Sequence, residues 1–494
     1  MKKAVKILSL ILALLMVIAV FASCGDKGGD DKDQDKETKP NDTQATTSGD
    51  ATVTDEVVPD IEVRNWEGRD YRILGREEPG SDWALHFEVY RDEMPEDVVG
   101  KEVWNRNLDI SKNYGINIKA NLVANYNDVA AVSLASGEDL YDLMLLVVNK
   151  FNDLTLQGYF LDLKKVEYIN LKHDAWLPEI NEELTFGDKL FYTSNKFMLQ
   201  DKNRYFIMYY NRDMAAELNL GHFEDFVFDG TWTLEKMLGL AKSGNKDDDG
   251  VAGMSRYDTW GLACSDTNMI LQLVVGSGFR YTEKGSDGFP KLIGPTDDML
   301  SRLDKVYDIV ASDYFFCDTI DLGSVDYSDC AHQMFYRGKS LLFGEAVSQL
   351  PRMAANCNFV YAPLPNPKSD ERQEMYYSSP NLNNGSLLGI PSTVVDSEFA
   401  GYALELISEK SIDTSYEAFI EIRSLLQSVP DEDSSMCLRI VFESPAYDAG
   451  FTCNLGLKYS TGDTKHNYAR LFDRSKDQAE MNIERMRKAY AEMN

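Results

Sequence analysis

Closely spaced metal-binding residues are scarce in this chain of 494 residues. It contains five histidines and seven cysteines, and these form no Cys-x-x-Cys pair and no His/Cys cluster. Structural zinc sites are built from such clusters, so the sequence offers no motif for one. No G-x-S-x-G or H-E-x-x-H motif is present either, which leaves the common serine-hydrolase and zinc-protease arrangements without support.

Positive charge is also in short supply. Lysine and arginine number 50 against 81 aspartates and glutamates, which gives a formal net charge of −31 at pH 7. Such a surface repels polyanions, so we expect no nucleic acid partner. A neutral or cationic ligand is the easier inference. With 44% hydrophobic residues the chain can bury a sizeable core, and its length suits two lobes.

One long apolar run lies at the amino terminus. Lysines at positions 2, 3 and 6 lead into the run 7–21, in which Ser9 is the one polar residue, and Ala22 and Ser23 precede Cys24. This order is typical of a secretory signal, and the run is shorter than the roughly 20 residues that a spanning helix needs. The end of the run resembles the lipobox of bacterial lipoproteins, in which the cysteine is lipidated and becomes the mature N-terminus.

We therefore predict a signal peptide at 1–23, a lipid anchor on Cys24 and a location on the extracellular face of the cell membrane. An uncleaved anchor, or an ordinary signal with an incidental cysteine, is the alternative. Beyond Cys24, residues 25–58 contain almost no large apolar side chain. They cannot bury enough surface to offset the entropy lost on ordering, so 24–58 is predicted to be the lipidated cysteine and a disordered acidic stalk.

Six cysteines remain after Cys24, at positions 264, 317, 330, 357, 437 and 453. Export permits disulfides, but the scattered spacing does not define a pairing. Disulfides and buried free thiols therefore both remain open.

Strand and helix patterns alternate beyond residue 59. Residues 71–74 and 116–120 are predicted strands, 98–113 and 127–135 are predicted helices, and 141–148 forms a nearly continuous apolar strand. This order, with a fully apolar third strand, predicts an α/β fold whose parallel sheet is covered on both faces.

Six segments, taken in order, resemble one known family: SGEDLYDLMLL, YFIMYYNRDMAAELNL, GTWTLEKM, FYRGKSLLFGE, FVYAPLP and GSLLGIPSTVVDSEFAGYALELI. Together they are similar to the extracellular solute-binding proteins of family 1, the sugar-binding group of ABC importers that includes maltose-binding protein. The resemblance covers residues 60 to 450. It implies a two-lobed, periplasmic-binding-protein-like (type II) α/β fold with a ligand cleft between the lobes. It also implies that lobe 1 takes 59–195 and 326–365, and lobe 2 takes 196–325 and 366–494.

The same resemblance implies a binding protein rather than an enzyme. The protein would be a monomer without a cofactor, anchored to the membrane by its lipid. It would capture a carbohydrate, in particular an oligosaccharide, and deliver it to the transmembrane subunits of an ABC permease. Two alternatives remain: an exported carbohydrate-active enzyme that uses paired carboxylates, and the same fold with a peptide or another solute as its ligand.

Candidate ligand-binding residues follow the predicted strands, because ligands of open α/β sheets bind beyond the carboxyl ends of strands. Sugars present apolar ring faces and hydroxyl groups, so aromatic rings and carboxylate or amide groups suit them. The candidates are Asp82, Trp83, Trp260, Glu345, Tyr377 and Asn381. A surface position is the alternative for Trp83 and Glu345, and a place in the core is the alternative for Trp260.

A further candidate is a calcium loop. Asn245, Asp247 and Asp249 offer oxygen donors at alternate positions before a glycine. The closing glutamate of such a loop would fall at Arg256, which cannot ligate, although Asp258 is near. An acidic turn is the default interpretation, with calcium as the alternative.

Overall fold

The structure is a computed structural model that describes residues 61–77, 85–91, 93–322, 330–381, 385–425, 432–457 and 468–493. The predicted signal peptide, Cys24 and the stalk lie outside these residues. Within the described ranges, no helix is long and apolar enough to cross a membrane.

The described ranges contain strands and helices in alternation. The strands are β1 (Arg69–Gly75), β2 (Ile116–Leu122), β3 (Leu143–Val147), β4 (Phe206–Asn211), β5 (Trp260–Cys264), β6 (Thr282–Lys284), β7 (Pro290–Leu292), β8 (Phe315–Cys317), β9 (Ser340–Ala346), β10 (Tyr361–Leu364) and β11 (Ser386–Gly389).

The α-helices are α1 (Val98–Tyr114), α2 (Tyr126–Ser136), α3 (Val148–Thr155), α4 (Pro178–Leu184), α5 (Leu199–Lys202), α6 (Arg212–Glu217), α7 (Phe223–Phe228), α8 (Leu234–Gly244), α9 (Asn268–Gly276), α10 (Asp297–Val310), α11 (Asp318–Asp321), α12 (Cys330–Tyr336), α13 (Leu350–Asn356), α14 (Ser397–Ser411), α15 (Glu417–Leu425), α16 (Glu432–Glu443), α17 (Ala449–Thr452) and α18 (Tyr468–Glu492). Short 3₁₀ helices occur at Leu163–Lys165 and Val347–Gln349, and a π-helical turn at Ile412–Tyr416.

The first sheet has the strand order β11-β3-β1-β2. Its first three strands in sequence are parallel, and β11 joins β3 in the antiparallel sense. All five residues of β3 are buried, as expected for a strand covered on both faces. The predicted strands at 71–74, 116–120 and 141–148 and the helices between them are thereby confirmed.

The boundaries of α1 follow from its flanking residues. The side chain of Asp97 accepts a hydrogen bond from the backbone N of Gly100 at 2.7 Å, which caps the first turn. Gly115 ends the helix in the left-handed conformation, with φ of 63°. The chain then enters β2 directly, with Gly115 as the whole connection between helix and strand.

The second sheet has the order β10-β4-β9-β5-β8. Strands β5, β8 and β9 are parallel, whereas β4 runs antiparallel to both β9 and β10. Strands β9 and β10 thus pair with β4, and β11 returns to the first sheet. The apolar pattern of these strands does not specify which strand each of them pairs with. The lobe boundaries themselves stay a prediction.

Two segments that connect the sheets pair with each other, and a third segment near residue 445 pairs with one of them. An isolated bridge joins Tyr205 to Pro380, and another joins Ser378 to Pro445. Beside the first bridge, the backbone N of Asn381 donates to the carbonyl of Arg204 at 3.0 Å. We call these paired segments, around residues 204, 380 and 445, the crossing ribbon.

Candidate functional site

Four strand ends of the second sheet meet at one edge. In the register, Cys264 of β5 lies opposite Cys317 of β8 and Gly344 of β9, while Phe206 of β4 lies opposite Ala346. Because β4 is antiparallel, its amino end joins the carboxyl ends of the other three. Polar residues directly follow two of these ends, Ser265 after β5 and Asp318 after β8. In an open α/β sheet this edge is where ligands bind.

A cavity of about 550 Å³ occupies this edge. It lies within the size range of small-ligand sites. Its walls combine hydroxyl, amide, carboxylate and guanidinium groups with one phenyl ring. The lining residues are Arg204, Phe206, Ser265, Asp266, Asn268, Asp318, His332, Glu345, Ala346, Ser348, Gln349, Arg352 and Asn381.

Glu345 is a buried carboxylate in the cavity wall, with 5% of its surface exposed. Its Oε2 accepts from Oγ of Ser265 at 2.5 Å and lies 3.1 Å from Nε2 of His332, while Oε1 accepts from the N of Ala346 at 2.7 Å. Burial acts to raise the pKa of Glu345, but the contacts with His332 and Ser265 together hold it below its usual range. The carboxylate is therefore fixed in its ionised form.

Two further carboxylates stand at the ends of β5 and β8. Asp266 accepts from the backbone N of Asn268 and, at 2.8 Å, from its Nδ2. Burial raises the pKa of Asp266, and the charge of Glu345 adds to the rise. Asp318 accepts from the backbone N of Ala331 at 3.0 and 3.2 Å, which ties the start of α12 to the end of β8.

His86 joins two strand ends of the first sheet. Its Nδ1 accepts from the N of Arg76, just after β1, at 2.6 Å, and its Nε2 lies 3.0 Å from Oγ of Ser386 at the start of β11. Burial lowers the pKa of His86 to about 3, and the charges of Arg76 and Arg204 contribute. Arg204, in the crossing ribbon, thus contributes to the lowered pKa of His86 in the first sheet and also lines the cavity of the second sheet.

The structure brings two of the predicted site residues together and separates others. Glu345 and Asn381 both line the cavity. Trp260 opens β5, about 13 Å from the cavity end of a five-residue strand; it is 6% exposed and its Nε1 donates to the carbonyl of Ser255 at 2.8 Å. The core alternative therefore describes its position.

Tyr377 lies outside the residues that line this cavity. Its ring stands 4.4 Å from the guanidinium carbon of Arg280, a residue that lines a separate cavity of about 130 Å³. Asp82 and Trp83 lie outside the described residues, so their proposed role stays a prediction.

Sequence reasoning missed several residues of the cavity wall. Ser265, Asp266 and Asp318 directly follow apolar strands, and the rule that selected Glu345 could have found them. Arg352 lies on α13 and His332 on α12. No local sequence pattern indicates that these helices line the cavity. Arg204 comes from the crossing ribbon, which only the tertiary structure defines.

The acidic loop has a tight local structure. Carboxylate oxygens of Asp247, Asp249 and Asp258 lie within 4.8 Å of one another. The loop's own backbone already uses many of them: Asp258 accepts from the N of Asp248 at 2.8 Å, and Asp247 from the N of Gly250 at 2.7 Å. Asn245 accepts from the N of Gly261 at 3.3 Å. Calcium binding by this loop stays a prediction.

All six cysteines in the described ranges are free. Of the two possibilities left open by the sequence, the structure has the free thiols. Cys264 and Cys317 are direct neighbours in the parallel pairing of β5 and β8, and they hydrogen-bond to each other.

Solved structures resemble this architecture. UspC of M. tuberculosis matches with a TM-score of 0.52 and 13% identity, over 84% of this chain and 100% of UspC. RafE of Streptococcus pneumoniae matches at 0.50 and 14%, over 85% and 96%. A cyclo/maltodextrin-binding protein solved with maltotetraose matches at 0.51 and 12%, over 86% and 96%. The chain has the two-lobed fold of the solute-binding proteins.

The predicted α/β, periplasmic-binding-protein-like fold is therefore confirmed. No protein-family model matches the chain, and no curated protein matches it by sequence. At identities of 12 to 14% the likeness to the solved structures concerns the fold.

Proposed function

We propose that this protein is the lipid-anchored receptor of an ABC importer, which captures an oligosaccharide in the cavity and presents it to the permease. The observation that carries the proposal is the cavity of about 550 Å³ at the strand ends of the second sheet. It lies beside the crossing ribbon, where Arg204 and Asn381 are hydrogen-bonded.

The chemistry of the walls suits a polyhydroxylated ligand. Asn268, Gln349 and Asn381 carry amides, which both donate and accept, and Asp266 accepts. The Oε1 atom of Gln349 is buried and has no hydrogen-bond partner within the described residues. A buried acceptor of this kind costs stability until a donor reaches it. A sugar hydroxyl is a donor of the right size.

Binding rather than turnover accounts for the arrangement. The fold is shared with a cyclo/maltodextrin-binding protein that holds maltotetraose, which supports carbohydrate as the ligand class. Closure of two lobes about a few connecting residues is a hinge motion, and the crossing ribbon is the element that can bend. The permease then distinguishes the closed, loaded receptor from the open one.

A thermal-shift screen of the full-length chain tests the ligand class. Neutral oligosaccharides, short peptides and polyamines are compared at equal concentration. A ligand at 100 times its Kd stabilises the folded state by about 2.7 kcal/mol. We expect a hit among the oligosaccharides, recovered unchanged after incubation. A response to peptides or polyamines alone contradicts the carbohydrate proposal, and release of shorter sugars contradicts a pure receptor.

The anchor is tested separately by cell fractionation. Cys24→Ser removes the predicted lipidation site, so the protein should move from the membrane fraction to the soluble fraction and lose incorporation of labelled fatty acid. Cys330→Ser, at a half-buried thiol in the body, is the matched control and should stay with the membrane. Equal membrane association of both variants would refute the anchor.

A further inference from the structure

A group of three ligating side chains lies away from the cleft. His173, Glu405 and Glu409 each place one ligand atom within 4.8 Å of the other two. His173 is 7% exposed and Glu405 is 1% exposed, and the side chain of Glu409 is 8% exposed. Such a density of buried ligand atoms needs a cation or a proton to balance it.

The local structure explains why the three groups converge. Glu405 and Glu409 are four residues apart on α14, so they share one face of that helix. His173 lies in the segment before α4, where its Nδ1 accepts from the N of Ala175 at 3.2 Å. The other ring nitrogen, Nε2, faces Glu409, 3.9 Å from its Oε1. A metal on Nε2 requires the ring proton to be on Nδ1, so the bond from Ala175 would be given up when the ion binds.

Glu405 provides an independent sign that a ligand belongs here. Its Oε2 accepts from Nε1 of Trp176 at 2.9 Å and from the N of Asn170 at 3.1 Å. Its Oε1 is buried and has no hydrogen-bond partner within the described residues. An oxygen in this position is unfavourable unless a positive partner meets it.

We propose that His173, Glu405 and Glu409 form a binding site for a divalent transition metal, with Zn²⁺ the best match. One imidazole nitrogen and two carboxylate oxygens are borderline ligands that suit Zn²⁺ better than Ca²⁺ or Mg²⁺. In a tetrahedral site with bonds of about 2.1 Å, ligand atoms are roughly 3.4 Å apart. The three groups therefore need to draw in by an ångström or so, and water fills the fourth position.

The site has a route to solvent and a structural consequence. His173 and Trp176 line a surface groove of about 600 Å³, through which an ion can enter. Glu409 also accepts from the backbone N of Ile61 at 2.9 and 3.1 Å. Metal bound to Glu409 would therefore fasten the first described residue of the body to α14, a role independent of ligand capture in the cleft.

The test titrates Zn²⁺ alone into the full-length, EDTA-treated chain by calorimetry and by thermal shift. We expect one tight site, a higher melting temperature, and a tetrahedral absorption spectrum when Co²⁺ replaces Zn²⁺. Glu405→Gln keeps an acceptor for Trp176 but removes the charge, and it should weaken Zn²⁺ binding by more than about tenfold. His173→Asn should do the same, so a folding defect in one variant does not decide the matter.

Two controls isolate the site. Glu398→Gln removes an exposed carboxylate from the same helix, where it pairs with Arg64, and should leave Zn²⁺ affinity unchanged. Asp249→Asn tests the acidic loop and should also leave it unchanged. Zn²⁺ binding that survives Glu405→Gln and His173→Asn, or that is lost in Asp249→Asn instead, overturns the proposal. So does the absence of any Zn²⁺-dependent heat or stabilisation.

Discussion

In the wall of the 550 Å³ cavity, Nε2 of His332 lies 3.1 Å from Oε2 of Glu345, and both side chains are buried. The histidine belongs to α12 and the glutamate to β9, so the contact joins a helix to the carboxyl end of the central strand of the second sheet. It holds a charged acceptor in a fixed orientation in the cavity wall. A buried pair of this kind is costly to break from one side only.

Glu345→Gln keeps the size of the side chain and removes its charge. Because the pKa of Glu345 in the folded state is depressed, its ionised form contributes stability above the unfolded pKa, and that contribution is lost as pH falls through the folded pKa. The variant should therefore unfold more easily by about 1–3 kcal/mol at pH 7, with a smaller difference below pH ~4. Urea titrations at both pH values measure this; Glu480→Gln, at an exposed position, should show neither effect.

Asp201 should show the opposite pH dependence. Its Oδ2 accepts from Oγ of Ser194 and from OH of Tyr447, both at 3.1 Å, and burial raises its pKa to about 6. The folded state therefore binds a proton that the unfolded state releases between pH ~4 and 6, so stability falls as pH rises through that window.

Asp201→Asn imitates the protonated acid and should remove this dependence. The difference in unfolding free energy between wild type and variant is expected to change by roughly 2 kcal/mol from pH 4 to pH 7. Melting curves across that range measure it, with Asp153→Asn at the surface as the control. A constant difference would show that Asp201 is ionised at every pH in the range.

Trp260→Phe separates stability from binding. The substitution removes the hydrogen bond to Ser255 and part of the packing against Phe316, whose ring centroid is 5.3 Å away. We expect a loss of about 1–3 kcal/mol and an unchanged affinity for the sugar found in the screen, because Trp260 stands at the far end of β5. Asn381→Ala should instead weaken sugar binding and leave the unfolding free energy nearly unchanged. Weaker sugar binding by the Trp260 variant would show that this residue contributes to the ligand site.

Three of the thiols, those of Cys264, Cys357 and Cys453, should be unreactive in the native protein. Burial raises the pKa of Cys264 well above its usual value and that of Cys357 and Cys453 to about 12. Thiolate is the reactive form, so iodoacetamide at pH 8 should modify these positions only after denaturation. Mass spectrometry without reductant distinguishes this outcome from disulfides, which would protect pairs of cysteines even in the denatured chain.

Helices and strands could be predicted from the sequence more accurately than the pairing between strands. The apolar residues of β3 and the glycine after α1 determine those elements directly, and both were predicted within a few residues. The sheet to which β9 and β10 belong depends on long-range pairing with β4, which a run such as Ser340–Ala346 satisfies equally well in either sheet. Hence a local element such as β3 could be predicted, whereas the strands that β9 and β10 pair with could not.

The same distinction holds for the site. Glu345 was found because the end of a strand is a local feature, and Asn381 because its loop lies between recognisable elements. His332 and Arg352 reach the cavity from helices whose packing is set by the whole core. The group around His173 was invisible for the same reason, since 232 residues separate His173 from Glu405 (405 − 173).

The first sheet begins at residue 69 and is finished only by β11, which ends at residue 389. Pairing across so many intervening residues has a high contact order and is slow to nucleate. A partly synthesised chain lacks its edge strand and cannot complete this sheet. This order suits the export that we propose, because a polypeptide that folds late can still pass through a translocation channel and reach its native state on the far side.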